Sequence, residues 1–369
     1  MQRDNRPVAF VLPDMRYGGA ERIALRLIRN FIDEGQAVDL VLMQKRGELL
    51  DQLPSQARVF DLGAGRIRGA IRPLVRYLRQ HRPRSMQVRM WPLTIAGILA
   101  AKIARVGTHV VVSDHSVLSD HYRSKATQAA LRLTTRLFYP LADARVAVSA
   151  GAARDLAKLS GIPVGKFTVI HNPVELPSEL RSAPDTEAMW VGSGPRILTV
   201  GKLKEEKNHQ LLILAFARLA DDRNAQLMIA GDGPLLEPLQ SLARERGVGE
   251  RILFPGYVAD PWPLYASADL FVLPSREESF GNVLVEALHA GLPIVSTRTT
   301  GADELLDGGR FGTLVANGDA QALATAMEKA LDEPSAPQIG RDRARELSGE
   351  ASLAAYRALL VDLHASTVT

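Results

Sequence analysis

Leu273-Pro-Ser-Arg-Glu-Glu-Ser-Phe-Gly-Asn-Val-Leu-Val-Glu-Ala-Leu-His-Ala-Gly-Leu-Pro-Ile-Val-Ser296 decides how this chain folds. The apolar run that leads into it, Asp269 to Leu273, reads as a buried strand, and Gly-Leu-Pro-Ile-Val-Ser reads as a turn followed by another. Between them Gly281 to Ala290 reads as a helix, with Val283, Leu284, Ala287 and Leu288 at helical spacing on one face. That places Glu278 on the loop entering the helix and Glu286 about two turns inside it. The free N–H groups of the first turn, near Gly281 and Asn282, make a seat for phosphate or sugar oxygens. Carboxylates beside such a seat suit a ligand with an anionic part and a hydroxyl-rich part.

Glu278 and Glu286, with Phe280-Gly281 between them and Ala290-Gly-Leu-Pro293 after them, resemble the paired-glutamate motif of retaining nucleotide-sugar glycosyltransferases, the two-domain GT-B enzymes of family GT4. The resemblance implies an α/β fold of two doubly wound, Rossmann-like domains facing across a cleft, with a C-terminal helix crossing back to the first domain. Alternating short apolar strands and helices along the chain agree with it independently. The expected domains are residues 1–172, a Pro/Ser/Gly-rich hinge at 173–195, a second domain at 196–350, and a crossing helix with tail at 351–369.

A chain of 369 residues can build two full cores, and its hydrophobic content of 46% and charged content of 23% are ordinary for a globular protein. Without cysteine it has neither disulfides nor thiolate metal sites. The N-terminal residues lack the apolar core of a signal peptide, and the longest apolar run, Met90 to Ala101, is too short to span a bilayer. The net charge of +4 is unevenly spread: from Arg58 to Arg136, fifteen Lys and Arg face three acids, an excess of twelve. Such a half suits an anionic lipid surface or an anionic acceptor. Nucleic acid is the weakest choice, because few aromatics lie among the bases.

In the first half, Val8 to Leu12 reads as a strand and Ala20 to Phe31 as an amphipathic helix, with Tyr17-Gly-Gly-Ala-Glu21 at the junction. Gly18 and Gly19 let backbone approach a ligand closely. The junction also resembles the family's loop near the donor diphosphate and acceptor. In the stretch Arg66 to Arg84, Ile71, Leu74, Val75 and Leu78 form an apolar face and Arg72, Arg76 and Arg79 a basic one, the pattern of a helix that lies on an anionic membrane or meets the acceptor. His115 follows the strand His109 to Ser113, at the sheet edge where ligands bind, and matches the family's histidine near the donor sugar.

In the second half, Gly201-Lys202 and Lys207-Asn208 follow the strand Arg196 to Val200 and resemble the family's two cations on the donor diphosphate. Lys202 stands where the family often has arginine, and a lysine lacks the two-pronged guanidinium. Gly256, Tyr257 and Val258 resemble the segment whose backbone meets the base. The resemblance makes Glu278, His115 and Lys207 the catalytic group. It gives donor binding to Gly18, Gly19, Lys202, Lys207, Gly256, Tyr257, Val258, Phe280, Gly281, Asn282 and Glu286. It implies a metal-independent, retaining transfer of a hexose or N-acetylhexosamine from a UDP-sugar or related donor, with no cofactor, to a lipid-linked or lipopolysaccharide glycan. The expected location is cytoplasmic, on the inner face of the cytoplasmic membrane. A sugar-nucleotide epimerase of the same build and a non-catalytic sugar-nucleotide-binding partner stay open as alternatives.

Overall fold

The computed structural model describes residues 6–363 except 191, 220–222 and 335. The expectations for the extreme N-terminus and for the tail beyond 363 lie outside the described residues. Two compact units share the chain: unit one runs up to Pro173 and resumes at Gly349, and unit two is Val174–Ser348.

Unit one begins β1 (Val8–Leu12), α1 (Gly19–Asp33), β2 (Val38–Leu42), β3 (Arg58–Asp61), α2 (Ile67–His81), β4 (Ser85–Arg89), α3 (Leu93–Ala104) and β5 (His109–Asp114). It continues with α4 (Leu118–His121), α5 (Lys125–Phe138), β6 (Ala144–Ala147), α6 (Ala150–Ser160) and β7 (Thr168–Val169). Its seven strands are parallel, in the order β3-β2-β1-β4-β5-β6-β7. Every residue of β1, β2 and β4 is buried, as a sheet covered on both faces requires. Helix α1 packs Ile23, Leu27, Ile28 and Phe31 against Phe10 and Leu40. The Ser149 hydroxyl accepts from the Ala152 N–H at 3.1 Å and caps α6, as its position before that helix predicts.

Unit two contains α7 (Pro184–Glu187), β8 (Arg196–Val200), α8 (His209–Phe216), β9 (Gln226–Ala230), α9 (Leu236–Glu245), β10 (Ile252–Gly256), α10 (Trp262–Ala266) and β11 (Leu270–Leu273). It ends with α11 (Asn282–Ala290), β12 (Ile294–Thr297), α12 (Thr300–Leu305), β13 (Thr313–Val315), α13 (Ala320–Asp332) and α14 (Pro337–Glu346). Its six parallel strands run β10-β9-β8-β11-β12-β13. The chain then re-enters unit one as α15 (Gly349–Arg357); Tyr356 on it and Leu359 and Leu360 just beyond it join the core that holds Val8, Phe10 and Leu27.

Most of the expected hinge at 173–195 is instead part of unit two. Trp190 is buried and donates its indole N–H to Ser267 Oγ at 3.0 Å, while Arg196 pairs with Glu187 at 2.6 Å. An indole left in a solvated linker would expose a large apolar surface, so it draws its segment onto the unit. The second border also differs from the expected 350/351, falling between Ser348 and Gly349.

Candidate functional site

In unit two the strand order reverses between β8 and β11, and loops leaving the two strands diverge there. In an open parallel sheet such a point leaves a crevice beyond the strand ends. Lys207 follows β8, and Glu278 follows β11. Their side chains meet across this point, Nζ to Oε2 at 2.5 Å.

Both loops are held by main-chain bonds. Arg276 N–H donates to Glu206 O at 2.8 Å, and Gly301 N–H donates to Glu278 O at 2.7 Å. The Thr297 hydroxyl donates to Ser275 O at 2.5 Å, and Asn317 Nδ2 donates to Arg276 O at 3.0 Å. Gly281 enters α11 with φ of 96°, in the left-handed region that side chains disfavour. A Cβ there would stand 3.1 Å from Glu278 Cγ and 3.2 Å from Leu284 Cδ1. Glycine therefore lets Glu278 lie close to the start of the helix.

Helix α11 starts one residue later than expected, and Glu286, its fifth residue, sits about one turn inside it rather than two. Its buried face is Leu284, Val285, Ala287 and Leu288; Val285 takes the place expected for Val283. Glu286 is half-buried, and Tyr265 donates its hydroxyl to Glu286 Oε2 at 2.7 Å. Burial, reinforced by the neighbouring carboxylate, raises the Tyr265 phenol well above its ordinary pKa, so it stays a donor. Phe280 is buried beneath the loop, and Asn282 opens the helix. Lys202 is exposed at the end of β8, and Tyr257 is exposed beside Gly256 and Val258 at the end of β10. The second unit thus gathers Lys202, Lys207, Glu278, Gly281, Asn282, Glu286 and Gly256–Val258 at the carboxyl edge of one sheet.

Unit one reverses its strand order between β1 and β4. Gly18 precedes α1 with extended backbone, and Glu21 folds back so that a Cβ on Gly18 would lie 2.1 Å from its Oε2. Gly19 opens the helix. Arg89, at the end of β4, is fully buried: Nη1 donates to Ala20 O at 3.0 Å, while Nε and Nη2 donate to Gln87 Oε1 at 3.1 and 3.0 Å. Burial lowers the Arg89 pKa, with Tyr356 and Glu21 opposing. The side chain pins the first turn of α1 from below the Gly18–Gly19 junction.

His115 follows β5, with Nε2 3.2 Å from Ser113 Oγ. Burial and the nearby Arg89 charge hold its pKa well below the usual value, with Asn172 opposing, so the imidazole is neutral at physiological pH. Its neighbour Asp114 is fully buried, accepting from Tyr139 OH at 2.5 Å and Trp91 N–H at 3.0 Å. Burial pushes the Asp114 carboxyl up to about 6. Sequence reading missed the supports Arg89, Asp114, Tyr139 and Tyr265, whose roles depend on contacts between distant residues. Among the described residues, no three His, Asp or Glu side chains gather as metal ligands.

Arg72, Arg76 and Arg79 are exposed on α2, but Leu74, Val75 and Leu78 are buried in the core. That helix cannot lay its apolar side into a bilayer, contrary to the expected pattern; only its bases and a shallow groove with Ile71 and Ile103 remain outside. Two exposed leucines share α5: Leu133 is 61% and Leu137 56% exposed, with Leu141 just beyond. Arg132 and Arg136 flank them, and α5 contains no acid. Helix α3 packs beside both α2 and α5, so the three belong to one helical layer. None of the described helices is long and apolar enough to cross a membrane.

Residues 17–177 match the family described as Glycosyltransferase Family 4, and residues 189–347 match Glycosyl transferases group 1. The N-acetylgalactosamine-N,N'-diacetylbacillosaminyl-diphospho-undecaprenol 4-alpha-N-acetylgalactosaminyltransferase of Campylobacter jejuni is 28% identical over 67% of each chain. The lipopolysaccharide core biosynthesis glycosyltransferase LpsE of Rhizobium meliloti is 35% identical over 49% of this chain and 52% of its own. The chain therefore spans about half to two thirds of the length of these curated relatives. Among solved structures, Anabaena HepE in complex with UDP and glucose superposes with a TM-score of 0.82, at 21% identity, over 97% of this chain and 99% of that one. WaaG, a glycosyltransferase involved in lipopolysaccharide biosynthesis, does so at 0.74 and 19% identity, over 96% and 99%. At these identities the likeness establishes the fold, two parallel-sheet Rossmann-like domains of the GT-B kind.

Proposed function

The chain belongs to the group 1 glycosyltransferases, and from that premise we propose that it moves a hexose or N-acetylhexosamine from a nucleoside diphosphate sugar, preferably a UDP-sugar, to a lipid-linked or lipopolysaccharide glycan. The transfer retains configuration and uses no metal. The observation that carries the reading is the Lys207–Glu278 pair at the strand reversal, with Glu286 one turn into α11, the helix that follows Glu278. HepE, with UDP and glucose bound, supports the donor class, and the undecaprenol-linked and lipopolysaccharide substrates in the relatives' names support the acceptor class.

In this scheme Lys207, Lys202 and the amides at the start of α11 receive the diphosphate. Preorganised positive groups act most where charge develops. Glu286, oriented by Tyr265, takes the ribose hydroxyls. The Gly256–Val258 backbone takes the base, and Glu278 takes the hydroxyls of the transferred sugar. In unit one, the Gly18–Gly19 junction and the neutral His115 lie at the carboxyl edge of that unit's own sheet. The bond from anomeric carbon to phosphate oxygen breaks, and its electron pair stays on the phosphate. The acceptor oxygen bonds the same face of the carbon, and its proton passes to the departing phosphate.

A peripheral position on the inner membrane face belongs to this reading, supported by the basic half and by Leu133 and Leu137 on α5. The reading is tested with a panel of sugar nucleotides, following release of the nucleoside diphosphate. One donor is consumed by the native protein, and Lys207→Ala loses about a hundredfold or more of that rate while the chain still unfolds cooperatively. Full activity in Lys207→Ala, or no turnover of any donor, refutes it.

A further inference from the structure

Lys207 has an anion at its side: the Glu278 carboxylate, 2.5 Å from Nζ, with the two side chains 24% and 15% exposed. The loops that carry them are fastened to each other through Arg276 N–H and Glu206 O, and the Glu278 carbonyl is fastened to Gly301 N–H. The pair therefore sits on held backbone, and the carboxylate takes up one of the three donors of the ammonium.

We propose that Glu278 discriminates a sugar nucleotide from the bare nucleoside diphosphate by competing with the diphosphate for Lys207. The proposal rests on the glycosyltransferase reading of the site. One ammonium cannot be shared at short range between a carboxylate and a diphosphate without forcing two anions together. A sugar nucleotide resolves the conflict, because its sugar hydroxyls donate to Glu278 as Lys207 turns to the phosphates. Each charged group then exchanges one partner for another, and a buried charge is never left alone.

The nucleoside diphosphate brings no hydroxyl to that position. Its terminal phosphate has regained a second ionisable oxygen, which titrates at about pH 6, as the terminal oxygens of phosphorylated side chains do. The carboxylate then faces a more negative group, or takes Lys207 back. Either event weakens the complex. The same residue thus engages the sugar before transfer and expels the spent diphosphate afterwards.

Calorimetric titration of UDP, GDP and their glucose and N-acetylhexosamine esters into the whole chain tests this. Glu278→Gln keeps the size and can still bond a sugar hydroxyl but has no charge. It binds the bare diphosphate about tenfold tighter than the native protein, equal to about 1.4 kcal/mol, and binds the sugar nucleotide no tighter. Glu278→Ser gives the same gain for the diphosphate, and both gains shrink in high salt as screening weakens the competition. If the native protein binds both ligands and neither variant gains affinity for the diphosphate, the inference is overturned while the functional reading stands. If the native protein binds no nucleoside diphosphate or sugar nucleotide at all, both fall.

Discussion

Tyr265→Phe isolates the support of Glu286 from everything else at the site. Tyr265 is fully buried, its ring 5.7 Å from Trp262 and 5.6 Å from Phe271 centre to centre, so phenylalanine keeps the packing and removes one oxygen. The lost bond is a neutral donor to a carboxylate at 2.7 Å. Bonds to charged groups contribute about 1.5–3 kcal/mol when buried. Glu286 is only half-buried, and water can replace part of the interaction, which brings the cost to about 1 kcal/mol. If the ribose is held by a carboxylate oriented this way, the nucleotide dissociation constant rises about fivefold. Titration calorimetry with the donor's nucleoside diphosphate reads it, and Glu286→Gln serves as the larger reference. The thermal midpoint should move little, because no cavity is made. Unchanged affinity in Tyr265→Phe, beside a clear loss in Glu286→Gln, would refute the orienting role. Unchanged affinity in both would remove Glu286 from the ribose.

Asp114 predicts an unusual pH response. Its folded-state pKa of about 6 lies above the ordinary 3.8, so the folded protein holds a proton that the unfolded chain has released across that window. Stability contributed by this group is therefore greatest below about pH 4 and falls as pH rises to 6, by roughly 3 kcal/mol in all. Denaturant titrations of unit-one unfolding should show Asp114→Asn gaining on the native protein by this order between pH 4 and 7, and parallel curves would refute the assignment. On the surface, Leu133→Ser with Leu137→Ser should cut sedimentation with phosphatidylglycerol vesicles about tenfold, each leucine contributing up to about 1.5 kcal/mol. Charge reversal at Arg72, Arg76 and Arg79 should also release the protein, each base contributing roughly 1 kcal/mol near an anionic surface. Unaltered sedimentation in both variants would rule out docking by this layer.

The strands are legible in the sequence as short continuous apolar runs, and most of the long helices by a buried face whose period shows directly. Hence β1, α11 and the α/β alternation are predictable from residues alone. The short α10 is not, since one turn has no period, and Tyr265 with it goes unseen. Helix α14 is missed because its composition is mostly polar and only Ala344 is buried along it. The helical character of α5 is readable, but which of its leucines remain outside depends on what α3 and α6 cover. For α2 the same ambiguity misleads: an apolar stripe looks alike whether it meets the core or a membrane. Lys207 and Glu278 are each visible at a strand end, yet their ion pair is a fact of sheet order, which no local spacing encodes.

The re-entry of the chain at Gly349 bears on synthesis. Unit two is one uninterrupted run of 175 residues, 174–348, whereas Tyr356, Leu359 and Leu360, which complete the core around Val8, Phe10 and Leu27, are made after it. At about 5–20 residues per second, the nascent first unit waits roughly ten to thirty-five seconds with that apolar surface open. The later-made unit can finish folding first, and the earlier one is the natural client for chaperones on the ribosome.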